Sequence, residues 1–71
     1  MLPEKTFTDS KSVKKIQYDE KAKKLIVIFN TDARYEYLEV PQYVWEDAQH
    51  ADSIGRFISS EVKGKYEYNP L

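Results

Sequence analysis

Arg34-Tyr35-Glu36-Tyr37 is the stretch of this chain whose residue types and spacing come nearest to a binding site. Residues two apart on a strand project to the same side, so Tyr35 and Tyr37 would present two phenol rings together. Such a pair can stack unpaired bases, and the Arg34 guanidinium could add a phosphate contact. The same pair would also serve to cover a core, because tyrosine favours half-buried strand positions. A second stretch, Asp52-Ser53-Ile54-Gly55-Arg56-Phe57, sets Ser53 and Gly55 where a helix would begin, with Arg56 one step on. Free amides and the dipole at a helix start attract anions. The competing reading is a capped helix whose glycine permits close packing, and Asp52 would repel an anion.

Catalytic parts are scarce. His50 is the single histidine, read as a surface loop residue, and there is no cysteine, so neither a Ser-His-Asp nor a Cys-His arrangement has convincing parts. Glu46 and Asp47 are neighbours on an expected helix and do not converge. Gly55 and Gly64 are the only glycines, which leaves no phosphate-cradling loop, and no metal-ligand spacing is present. The chain is read as a binding module, not an enzyme, with no metal and no cofactor implied.

The elements that would position these residues follow from periodicity. Residues 1–10 show no period and read as an N-terminal arm. Ile16 and Tyr18 share a face of a first strand within Ser12–Tyr18, and Asp19–Lys23 is a polar turn. Lys24–Phe29 is apolar on both faces, as a central strand must be. Asn30-Thr31-Asp32-Ala33 supplies a turn in which Asn or Asp tolerates a left-handed backbone. Arg34–Val40 is the third strand. Loops this short require antiparallel hairpins.

Pro41 then marks a change to helical period, and a helix from Pro41 to about Ala48 groups Val44, Ala48 and Ala51. Ser53 caps a second helix carrying Ile54, Phe57, Ile58 and Val62, which Gly64 ends. The expected fold is α+β: a three-stranded antiparallel β-meander followed by two short helices packed on one face of the sheet. Residues 11–68 would form the single domain, in which Lys65–Tyr68 either adds a short edge strand or lies against the core, with 69–71 a C-terminal tail.

At 71 residues and without a disulfide, stability must come from apolar and aromatic burial, to which six Tyr, three Phe and one Trp contribute. The net charge of −1 argues against a strongly basic nucleic-acid binder. Its distribution is uneven: residues 1–24 hold seven lysines against four acids, and residues 25–71 hold four basic groups against eight acids. Lys14 and Lys15 could thus join a mildly positive face. No apolar run is long enough to span a membrane and no leader pattern is visible, so a cytoplasmic protein without a membrane partner is expected.

Taken in order, Ser12-Val13, Tyr18-Asp19, Leu25-x-Val27-x-Phe29, Tyr35-x-Tyr37, Val40-Pro41 and Ser53-x-Gly55-x-Phe57 resemble the KTSC domain over residues 10–68. That family is named for a C-terminal segment of some lysyl-tRNA synthetases and also occurs as stand-alone small proteins. Members usually carry a glycine in the turn before the Tyr-x-Tyr strand, where this chain has Asn30–Ala33. The resemblance implies an RNA-handling context and no catalytic residue. The expected partner is RNA, such as tRNA, at Tyr35, Tyr37, Arg34, Lys14, Lys15, Ser53, Gly55 and Arg56. The alternative is a protein partner docked on an exposed sheet edge or an aromatic surface around Tyr43, Trp45, Tyr66 and Tyr68.

Overall fold

The computed structural model describes residues 2–71. Its backbone runs β1 (Glu4–Thr6), β2 (Val13–Asp19), β3 (Lys24–Phe29), β4 (Arg34–Tyr37), α1 (Gln42–Gln49), α2 (Ile54–Phe57), a π-helical continuation of α2 (Ile58–Val62) and β5 (Tyr68–Pro70). The strands form one antiparallel sheet in the order β1-β2-β3-β4-β5. The α+β class and the helices on one face stand as expected. The strand count is corrected from three to five.

Both added strands are edges. The stretch expected as an arm pairs Glu4 with Gln17 and Thr6 with Lys15, and the Tyr18 amide donates to the Pro3 carbonyl at 3.1 Å. The stretch expected as a tail pairs Asn69 with Glu36 and Pro70 with Tyr35, and Tyr68, expected at the domain's end, pairs with Tyr37. Each new strand has three residues, all exposed. Their backbone bonds define them, not an alternation of apolar side chains.

The central strands sort their side chains by alternation. Ile16 and Tyr18 on β2, Leu25 and Val27 on β3, and Tyr37 on β4 are buried on the helix-covered face. Across the register Val27 faces Ile16 and Tyr35, and Leu25 faces Tyr18 and Tyr37. A bulge between Val13 and Lys15 shifts β2 by one residue, which keeps Val13 in the core and turns Lys14 outward. The helices cover this face with Val44, Trp45, Ala48, Ile54, Ile58 and Val62. Fully burying such side chains is worth about 1.5–3 kcal/mol each for Val, Leu and Ile.

Tyr18 ties the layers together. Its ring stacks on Trp45 at 5.9 Å, and its hydroxyl donates to the buried Val40 carbonyl at 2.6 Å. The Val40 amide in turn donates to the Lys23 carbonyl at 2.8 Å, which fixes the strand-to-helix corner. Pro41 serves as N-cap of α1, one position before the first helical residue where it was expected.

The turns use the residues their geometry demands. Asp32 adopts φ 70°, a left-handed backbone that Asp tolerates, and its amide donates to the Phe29 carbonyl at 2.8 Å. Gly64 leaves the second helix at φ 85°. Within that helix the Lys63 amide reaches the Ile58 carbonyl at 2.7 Å, a wider turn than the α-helix expected there. Ile54, Ile58 and Val62 thereby all face the sheet.

Candidate functional site

Tyr35 and Tyr37 lie on the helix-covered face, at the margin of the sheet where the helices leave a gap. The Tyr35 ring meets Phe29 edge-on at 5.7 Å and Tyr68 edge-on at 5.5 Å, and Tyr37 meets Tyr68 at 5.7 Å. The tyrosine of the last strand therefore sits against both tyrosines of β4. The second Tyr-Glu-Tyr, at residues 66–68, divides its rings: Tyr66 packs against the core while Tyr68, 53% exposed, completes this row.

The row forms one wall of a cleft of about 250 Å³, and Ser12, Gly55, Ile58, Ser59 and Lys63 form the other. Burial pushes the Tyr37 hydroxyl above its ordinary pKa, and the neighbouring Tyr68 and Tyr35 act in the same direction. Two shallower grooves adjoin the cleft. One runs past Asn30, Thr31 and Lys11. The other runs past Ser53, Ser60 and Arg56. Ser12 lines all three. No carboxylate lines any of them, and Lys11, Arg56 and Lys63 make no ion pair among the described residues.

The other residues named from the sequence are placed differently. Arg34 neighbours Tyr35 along the strand and so projects from the opposite face of the sheet. Lys15 lies on that opposite face, in register with Ile28, and pairs with Glu4 at 3.6 Å. Lys14 is spent on Asp32, whose carboxyl that hydrogen bond and the Lys14 charge hold below its ordinary pKa. The open face is a charge-balanced ladder: Gln17 donates to Glu4 at 3.0 Å, Lys24 meets Glu36 at 3.7 Å, and Asn69 donates to Glu36 at 3.3 Å. The Gln17 bond, assisted by Lys15, lowers the Glu4 pKa.

Ser53 caps α2, its hydroxyl accepting from the Arg56 amide at 3.4 Å. Gly55 packs close to Ser12, whose hydroxyl would have to move to admit a Cβ there. It lines the cleft as part of the packing between α2 and the start of β2.

Trp45 is corrected from surface to core: it is 7% exposed and stacked on Tyr18. Tyr43 is 63% exposed on the outer side of α1, close enough to Tyr66 to help raise its pKa, though burial is the larger cause. Among the described residues no cluster of His, Cys, Asp or Glu could hold a metal ion, and no helix is long and apolar enough to cross a membrane.

Sequence reasoning overlooked Phe29, Ser12, Lys11, Ser59 and Lys63. Phe29 was legible, since strand alternation puts it with Leu25 and Val27. The others are assembled by contacts between segments far apart in the chain.

A small antiparallel sheet with both helices on one face and an aromatic cleft at its margin defines the class of α+β domain to which the chain belongs. The KTSC domain family matches residues 9–66, and the chain is a member of that family. A KTSC domain protein from Yersinia pestis superposes with a TM-score of 0.92 at 27% identity, over 100% of this chain and 99% of that one. A protein of Tsukamurella paurometabola is 34% identical over 58 residues, covering 82% of this chain and 87% of that protein. The lysine–tRNA ligase of Nostoc punctiforme is 34% identical over 59 residues, covering 83% of this chain and 10% of the ligase. The chain thus spans about a tenth of the lysine–tRNA ligases it matches.

Proposed function

We propose that this KTSC domain is a small, non-enzymatic RNA-binding module whose contact surface is the aromatic cleft and the cations along it. The observation that carries the reading is the charge of that surface. In a chain of net charge −1, the cleft and its two adjoining grooves are lined by aromatic rings, hydroxyls and the cations Lys11, Arg56 and Lys63, without a carboxylate. Rings supply stacking that tolerates any base, worth about 1–3 kcal/mol per base. Free cations supply phosphate contacts. The kinship of residues 9–66 with a segment of lysine–tRNA ligases makes tRNA the first RNA to try.

Within this reading Tyr35 and Tyr37 keep the role expected of them and Arg56 keeps its charge. Lys14 and Lys15 are engaged by carboxylates, and Arg34 and Lys15 face the other side. Gly55 lines the cleft, and both Ser53 and Gly55 line its adjoining groove. Docking of a protein through Tyr43, Trp45, Tyr66 and Tyr68 is the weaker reading, because Trp45 could serve as an anchor only by leaving the core.

The test is a titration of isotopically labelled protein with tRNA at low and at physiological salt, followed through backbone amide shifts. Shifts that weaken with salt and cluster on Ser12, Tyr35, Gly55, Lys63 and Tyr68 are expected. Their absence even at low salt would set RNA aside and turn the search to protein partners.

A further inference from the structure

We infer that the cleft takes one unpaired nucleotide of a single strand, and that the strand runs across the domain from the Lys11 groove to the Arg56 groove. This rests on the RNA-binding reading and narrows it to unpaired segments.

Three features carry it. The first is size. Pockets for small organic ligands span about 300–1,000 Å³, and at about 250 Å³ this cleft has room for a single ring system. A double helix offers no base that can enter, because its bases are stacked and paired. The second is the wall. Tyr35 meets both Phe29 and Tyr68 edge to face, and Tyr68 keeps about half of its surface, 53%, in solvent. A planar base can lie on that exposed surface while the tyrosine and serine hydroxyls meet its polar edge.

The third is continuity. Two grooves adjoin the cleft and each brings one unpaired cation, Lys11 in one and Arg56 in the other, while Lys63 lines the cleft itself. A backbone passing from one groove through the cleft to the other meets a positive charge in each. A track of this form suits a flexible strand. The rigid phosphate rows of a duplex would instead call for a broad basic face, and the open face of the sheet, with its paired charges, does not provide one.

The experiment compares a short fluorescein-labelled RNA strand with the same strand annealed to its complement, by anisotropy against the folded domain over a range of salt. The single strand is expected to bind at least tenfold more tightly. Three phosphate contacts at about −0.7 each give a log–log salt slope of about −2, and K63A/R56A should reduce it to about −0.7. Tyr68→Ala removes an exposed ring from an edge strand with little risk to the core, and should weaken single-strand binding about 5- to 150-fold, the worth of one stacked base.

Equal binding of strand and duplex, with Tyr68→Ala neutral, would overturn the inference and leave RNA binding in place. Binding of neither, while the wild-type fold is intact by amide spectrum, would overturn both.

Discussion

Three tyrosines of this domain look alike in the sequence and differ in what holds them. Tyr18 is enclosed, and its hydroxyl is the partner of a buried carbonyl; Tyr35 and Tyr37 line a cleft and, among the described residues, make no hydrogen bond through their hydroxyls. Tyr18→Phe should therefore strand the Val40 carbonyl and cost about 1–3 kcal/mol, whereas Y35F/Y37F should leave the urea midpoint nearly unchanged. Loss of the fold in the double variant would mean those hydroxyls are buried and bonded. The same enclosure sets a pH dependence. Burial raises the Tyr18 hydroxyl, with Glu20 and Asp19 adding to it, and burial also raises Tyr37 and Tyr66. A group that holds its proton more tightly when folded stabilises the fold below its unfolded pKa, about 10 for tyrosine. That contribution is lost as pH rises through the folded value. Urea midpoints are thus expected to hold up to about pH 10 and to fall above it, with a shallower fall in Tyr18→Phe.

At the scale of elements, what could be read from the sequence was what burial writes into it. β2, β3 and β4 alternate or run apolar, and α1 and α2 repeat their apolar residues at helical spacing. β1 and β5 carry exposed side chains on three residues each, and β5 contains Pro70, so no apolar alternation marks them, though an edge strand was one of two readings of residues 65–68. The π-helical turn was equally silent, because Ile58 and Val62 suit either helix. The site divides in the same way. Tyr35, Tyr37 and Arg56 were found from local chemistry. Arg34 was misplaced although alternation alone puts it on the face opposite Tyr35, and Lys15 was misplaced for want of the register that carries it to Glu4. Tyr68, Lys63 and Ser12 join only through contacts between distant segments, which a single sequence does not print. The Ser12–Gly55 contact joins α2 to the start of β2 and can be weighed by a double-mutant cycle. Alanine is favoured over glycine within a helix by up to about 1 kcal/mol. Gly55→Ala should stabilise the domain by about that amount in a Ser12→Ala background, and stabilise it less or not at all in wild type, where the Ser12 hydroxyl must move. Equal effects in both backgrounds, read by thermal unfolding, would show that the contact imposes nothing.

Taken whole, the molecule keeps its charges in two different states. One face of the sheet neutralises its lysines and glutamates against each other, and the margin opposite leaves Lys11, Arg56 and Lys63 unneutralised beside aromatic rings. Net charge therefore says little about what such a chain attracts. The strand order has a consequence in time. Every strand pairs with its neighbour in sequence, but the first three pairings close over turns or short loops, while β4 and β5 must enclose both helices, from Leu38 to Glu67. Loop-closure entropy and contact order put the short closures first. In a kinetic study Val27→Ala should slow folding, and Tyr68→Ala should act almost wholly on unfolding, with a φ-value near zero. The aromatic row would then be the last part of the domain to come into being: its final ring arrives on the strand that docks only after the rest has formed.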